Sequence, residues 1–174
     1  GSPLVGAQNR YTIASGYATA IYQGDLVEPL TSGNIQKHGA NTSDAVVGVF
    51  NGCFYTDPTT KKPTYSNYYP GSIAASDITA FIVDDPDAVF LVDADAAFTR
   101  ADLFKNYSVT NTTGVTQTGI SKAQLDVSVS GTATTFAIQA IDISQDPDNS
   151  DTSSANANVL VRINNHFYRS GTGL

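Results

Sequence analysis

The sequence predicts an all-β protein: a compact β-barrel or β-sandwich with long loops and at most one or two short helical turns. Three observations point there. Apolar and polar residues alternate at a period of two in short runs, as half-buried strands require. Connections rich in Gly, Pro and Asp separate eight or more such runs. Of the sixteen acids, fifteen are Asp and Glu28 is the sole glutamate. Aspartate bonds to nearby backbone and favours caps and turns, whereas exposed helix faces draw on Glu and Lys.

Taken in order, the first strand candidates are residues 10–13, 18–22, 26–30 and 46–55. A hairpin is expected over 78–92, its arms TAFIVD and AVFLVD joined by Asp84-Asp85-Pro86-Asp87, residues that favour turns. A second hairpin is expected where Leu125, Val127 and Val129 alternate with polar residues and Ser130-Gly131-Thr132 leads into 135–143. The closing strand, 159–166, should turn Val159, Val161 and Ile163 to one face and Arg162 and Asn164 to the other. Helix is confined to a capping-box-like turn from Thr99 to about Lys105 and a second turn over 121–125.

At 174 residues and 41% hydrophobic, the chain fits one β-rich domain, 1–174, with a Tyr/Pro-rich loop insertion at about 57–72. Two further long loops span 110–119 and 142–157. Loops of this length in a compact domain are functional or disordered. The first has aromatic anchors and should be ordered by packing or by a partner; the last is polar enough to stay mobile. No repeat at a fixed period supports a solenoid or propeller.

Net charge −7 with five lysines argues against a nucleic-acid track. Cys53 stands alone, so no disulfide framework or paired-cysteine metal site is implied, and assembly in a reducing interior is expected. No apolar run reaches the length of a membrane helix. The chain starts GSPLVG and contains no methionine, so its start is a processed end, a remnant of cloning or the point where order begins, and the sequence does not choose among these.

Chemical sites compare poorly with simpler explanations. His38, in a polar loop, and His166, at the end of the last strand, belong to no spacing that builds a metal triad or catalytic dyad. The acidic run from Asp146 to Asp151 lacks the glycine and closing glutamate of a calcium loop and reads as a solvated turn. Asp84, Asp85 and Asp87, with Asp93 and Asp95 downstream, crowd an expected turn without tryptophan beside them, unlike glycosidase carboxylates. Cys53 has no evident base and reads as buried filler. No catalytic residue, metal or cofactor is assigned. Lys61-Lys62 is too short for a nucleic-acid patch and suits an acidic partner or an exposed loop.

Residues 46–71 hold four of the nine tyrosines and three of the seven prolines. Tyrosine offers a large amphipathic ring on few torsions, so such a segment suits recognition. Within it, Gly48-Val49-Phe50-Asn51-Gly52-Cys53-Phe54-Tyr55, then Lys61-Lys62-Pro63 and Ser66-Asn67-Tyr68-Tyr69-Pro70-Gly71, resembles a motif of small virion proteins of tailed bacteriophages, the capsid decoration or cement proteins. Segments 18–29, 81–92 and 159–166 resemble the family's early strand pair, central acidic hairpin and closing strand. Together these cover roughly half of the chain in the family's order. Family members commonly begin with an extended segment before the Ser2-Pro3 pair, so a preceding segment is expected.

The resemblance implies a non-enzymatic structural protein that binds the outer face of an assembled phage capsid and stabilises it, located on the virion after assembly in the host cytoplasm. Its partner would be the major capsid protein, with no nucleic acid or membrane involved. A closed homo-oligomer is expected, trimer before dimer. Phe50, Phe54, Tyr55, Lys61, Lys62, Tyr65, Tyr68 and Tyr69 are the candidate subunit or capsid contacts, although alternation would put Phe50 and Phe54 on one face, as core residues would be. The rival readings are a phage tail, neck or fibre component and a carbohydrate-binding module. The latter would line a cleft with the 65–69 tyrosines beside acids.

Overall fold

The computed structural model describes residues 8–40, 42–171 and 173–174; the Ser2-Pro3 pair lies outside them. Among the described residues the chain forms eleven strands and no α-helix. The strands are β1 (Asn9–Thr12), β2 (Leu26–Pro29), β3 (Ile35–Lys37), β4 (Gly48–Thr56), β5 (Pro63–Ser66), β6 (Thr79–Val83), β7 (Val89–Asp93), β8 (Asn106–Val109), β9 (Leu125–Gly131), β10 (Ile138–Ile143) and β11 (Asn158–Ile163). Single 3-10 turns occur at Arg100–Asp102, Pro147–Asn149 and Phe167–Arg169.

The strands build two antiparallel sheets that pack against each other without closing into a barrel. One has the order β1-β6-β4-β2-β3, with β5 also paired to β4, and the other has the order β7-β11-β10-β8-β9. The edges of the first sheet approach each other at one isolated bridge, Ile13 to Ile35.

Strands β2 and β4 serve two cores at once, which explains why both of their faces are apolar. Val27 and Phe50 join Ile13, Ile21, Ile35 and Ile82 in the core of the first sheet. Their neighbours Leu26 and Val49 pack instead on the second core, built from Leu125, Ile138, Val159, Val161 and Ile163. The closing strand behaves as its alternation predicts, with Val159, Val161 and Ile163 buried.

Neither expected hairpin forms. Strand β6 pairs with β1 and β4, while β7 pairs with β11 in the other sheet, so residues 84–88 cross between sheets. Both edges of β6 are already occupied, which leaves β7 no place beside it. Likewise β8 lies between β9 and β10 and separates the arms of the second expected hairpin. The consecutive strands that do pair are β2–β3, β4–β5, β8–β9 and β10–β11.

The helical expectations hold in part: the capping box at Thr99 forms, but its turn is shorter than expected and the turn over 121–125 is absent. The turn opened by Thr99 ends at Asp102, whose carboxylate accepts from the Thr99 amide at 3.1 Å and hydroxyl at 2.8 Å. Leu103 is extended and buried, and Phe104 takes φ +66, so helix stops there. Residues 121–124 form no helix; the Ser121 hydroxyl accepts from the Ala123 amide while its own amide bonds to Gln23.

The 142–157 connection is pegged rather than loose. The buried Asn149 side chain donates to the carbonyls of Ser144 at 2.9 Å and Asn158 at 3.0 Å, and accepts from the Asn158 amide at 2.7 Å. The second long connection docks too, with Ile120 bridging to Gln23 and the Thr118 carbonyl accepting from the Asn67 side-chain Nδ2 at 2.6 Å.

Candidate functional site

The 57–72 segment is a structured hairpin arm and tip, not a free insertion. Residues Pro63–Ser66 form β5 along the second half of β4, with Phe54 directly opposite Tyr65. Asp57 builds the tip: its carboxylate accepts from the amides of Thr59 at 2.7 Å and Thr60 at 2.8 Å. Its backbone closes the turn through bonds with Lys61 and Lys62, and Lys61 takes φ +59 to make the reversal. The two amide bonds hold the Asp57 carboxyl below its ordinary value.

A bulge in β4 divides the nominated aromatic residues. The register slips between Phe50 and Cys53, and Gly52 there has φ +127, a conformation open to glycine and strained for other residues. The slip reverses the alternation. Phe50 faces the core before the bulge, Cys53 and Tyr55 face it afterwards, and Phe54 turns outward. Phe50 and Phe54 therefore lie on opposite faces, against the simple period of two.

Of the eight nominated residues, Phe50, Tyr55 and Tyr69 are core residues of this chain. Tyr69 donates from its hydroxyl to the Tyr17 carbonyl at 2.7 Å. Tyr68 is half-buried against the Tyr22 ring, and Phe54 is half-buried with its ring centroid 4.8 Å from that of Tyr65. Lys61, Lys62 and Tyr65 are exposed, Tyr65 at 75%. The structure thus gathers a compact outward patch of two lysines and an aromatic pair at one hairpin. The remaining tyrosines fasten that hairpin to the body.

Two buried acids escaped the sequence reading. Asp25, 1% exposed, accepts from the Tyr22 amide at 2.8 Å and the Ser121 hydroxyl, and pairs with Lys37 Nζ at 2.9 Å. Glu28 lies across from Gln36 on the β2–β3 hairpin and accepts from its side-chain Nε2 at 2.6 Å, with His38 Nδ1 at 2.7 Å. Burial alone would raise the Glu28 carboxyl, but the hydrogen bonds from His38 and Gln36 outweigh it and hold it below its ordinary value. The Gly24-Asp25 pair was visible in sequence, but nothing in the linear order pointed to Lys37 as its partner.

Thr42 Oγ1 sits 3.4 Å from His38 Nε2, so Thr42, His38 and Glu28 follow the order of a nucleophile, base and acid. The contact is longer than the roughly 2.6–3.2 Å of an engaged nucleophile and base. The same hydroxyl lies equally near the Gly39 carbonyl, at 3.4 Å. The group ties the β2–β3 hairpin to the following loop.

Cys53 is buried, and burial pushes its thiol up to about 12, so it is protonated and unreactive near neutrality. His166 is buried as well; its Nδ1 accepts from the Tyr168 amide at 3.1 Å. The crossing acids are engaged individually. Asp84 accepts from Tyr11 at 2.6 Å and from Asn9, Asp85 from the Asp87 amide at 2.9 Å, and Asp87 pairs with Arg169. No group of three or more His, Cys, Asp or Glu side chains suited to a metal ion occurs among the described residues.

Fold and site together define an all-β sandwich that presents a rigid aromatic-basic hairpin. Comparison with protein-family models, curated proteins and solved structures finds no match to this chain.

Proposed function

We propose that the chain is a non-enzymatic virion structural protein that binds the outer surface of a tailed-phage capsid and stabilises it, with the major capsid protein as its partner. The observation that carries this reading is the β4–β5 hairpin, where Lys61, Lys62 and Tyr65 project from a tip held by its own backbone and Asp57 bonds. This hairpin lies within the segment that resembles the decoration family. A preorganised tip loses little entropy on docking. Two adjacent lysines on a chain of net charge −7 favour an acidic target at that point. A closed homo-oligomer, trimer before dimer, multiplies such modest contacts on a symmetric shell. The protein then resides on the capsid surface after assembly in the host cytoplasm.

The test is co-sedimentation of the purified chain with expanded shells, with its mass in solution measured by light scattering. Decoration gives saturable binding at a fixed ratio to the shell protein, and that binding is lost when Lys61→Ala, Lys62→Ala and Tyr65→Ala are combined. Absence of shell binding, with the protein recovered in tail fractions, would overturn decoration in favour of a tail component.

A further inference from the structure

We infer that the free edge of β7 accepts an added strand from a protein partner, an extended segment with alternating apolar residues and basic residues at its ends. The inference stands apart from the virion reading and uses the opposite sheet from the hairpin.

Strand β7 is last in its sheet's order and pairs with β11 in an unbroken register from Asp93 opposite Asn158 to Val89 opposite Arg162; just beyond it Ala94 bridges to Leu125 of β9, whose carbonyl accepts from the Asp95 amide at 3.0 Å, so the open edge is the stretch from Val89 to Asp93. Edge strands are ordinarily shortened, bulged or covered because their unpaired amides and carbonyls recruit other strands. This one is Val-Phe-Leu-Val-Asp, without a bulge, and it is apolar on both faces. On the outer face Val89 and Leu91 are exposed, Leu91 at 59%. On the inner face Phe90 and Val92 remain half-exposed, although Val159 and Val161 beside them on β11 are buried.

The reason is that the second core is left unfilled along this edge. A cleft of about 300 Å³ opens there between the sheets, walled by Leu26 and Val49 from the first sheet and by Phe90, Val92 and Val109 from the second. Ile120, 53% exposed, forms part of its rim. A strand added to β7 supplies backbone partners to the edge, and its inward side chains enter the cleft. This is recognition by β-strand addition, with pockets reading alternate residues.

Charge selects the occupant. Asp85 and Asp87 precede β7, and Asp93 and Asp95 close and follow it. Antiparallel pairing with a second copy would bring the acids at one end of each strand onto those at the other, and parallel pairing would align like with like. Both are repulsive. Arg169 offsets Asp87, and Asp95 is engaged by the Val127 amide at 2.9 Å, but Asp85 and Asp93 remain exposed and acidic. A segment with lysine or arginine at its ends complements this bracket.

The experiment uses the full chain and three labelled peptides: alternating valine and threonine flanked by lysines, the same core flanked by glutamates, and the lysine-flanked core interrupted by proline. Fluorescence polarisation should show saturable binding of the first, with the second weaker on the order of tenfold or more. Added salt should weaken the first. Hydrogen exchange should then show protection gained by the β7 amides and not by those of β5, an edge strand of the other sheet. Asp93→Lys should weaken the lysine-flanked peptide and strengthen the glutamate-flanked one. Ile120→Asp, on the exposed rim, should weaken both while the chain stays folded. Failure of the lysine-flanked peptide to bind, equal binding of all three, or protection away from β7 would overturn the inference. Concentration-dependent self-association that protects β7 without peptide would reassign the edge to a second copy and overturn it equally.

Discussion

Tyr22 and Tyr68 stack face to face, with ring centroids 5.5 Å apart and planes 5° from parallel. Tyr22 precedes the Gly24-Asp25 turn and Tyr68 follows β5, so the stack binds the aromatic hairpin to the body of the first sheet. Tyr69 repeats the arrangement one residue later with Tyr17, at 6.1 Å. The hairpin tip is thereby held outward while its base is part of the core.

This division of labour separates stability from contact. Tyr68→Ala should destabilise the fold by about 1–3 kcal/mol, from the lost stack and lost burial. Tyr65→Ala should stay within about 0.5 kcal/mol of the parent, as a surface change does. Urea denaturation of both variants checks this. Equal destabilisation would mean that Tyr65 is also structural.

Gly48 admits no side chain. A Cβ there would lie 2.3 Å from the Val83 carbonyl oxygen and 2.6 Å from an Ile82 methyl, because β4 and β6 approach closely before the bulge. Gly48→Ala should cost about 1–3 kcal/mol through overpacking. The midpoint of a thermal melt reads the loss, and an unchanged midpoint would show that the strands can separate at little cost.

Lys37 and Asp25 are both buried, so removing one leaves the other charged and without its partner. Lys37→Met should cost about 3–5 kcal/mol. Combining it with Asp25→Asn should recover part of that cost. A double-mutant cycle in urea measures the coupling, and additive losses would mean that the pair is independent.

The Thr42, His38 and Glu28 alignment should support structure rather than turnover. His38→Ala leaves a buried carboxylate oxygen without its partner and should cost about 1–3 kcal/mol. Hydrolysis of an activated ester should be the same for the parent, His38→Ala and Thr42→Val. A burst of product that requires Thr42 would instead establish a nucleophile.

Stability should fall in two stages on acidification. Burial lowers the His166 value in the fold, so stability is fully present above the unfolded histidine value of about 6.5 and declines as pH drops from there towards the folded value. Protonation also removes the Nδ1 acceptor for the Tyr168 amide. Glu28 is depressed in the fold, so its contribution is present above the unfolded carboxylate range and is lost as pH falls through its folded value. Melting temperature should be flat from neutrality to about pH 8, decline below about pH 6.5, and drop further in the acid range; above the unfolded thiol value it should fall again, because the buried Cys53 thiol resists ionisation. His166→Gln should remove the first stage, and its persistence would assign that stage elsewhere.

Much of the architecture was legible because strands buried on one face declare themselves by alternation. Val159, Val161 and Ile163 are the clearest case. Strand β8 shows the limit: Asn106, Tyr107, Ser108 and Val109 are all buried, so no alternation marks it. Its Asn106 Nδ2 finds a partner far along the chain, the Ala133 carbonyl at 3.0 Å. Phe50 and Phe54 mark a second limit, since one bulge residue reverses every face that follows. The contact patch was legible as a composition. Which of its aromatic residues point outward was not.

By itself the sequence determined an all-β fold, the turn chemistry of its aspartates, the inward face of β11 and the segment that carries the aromatic-basic hairpin. These follow from local period and local backbone preference. Only the tertiary structure decided that β6 and β7 part into different sheets, that β8 enters between β9 and β10, and that Lys37 meets Asp25. Strand partners are chosen by which edges are free and which apolar faces must meet, and those are properties of the assembled sheets.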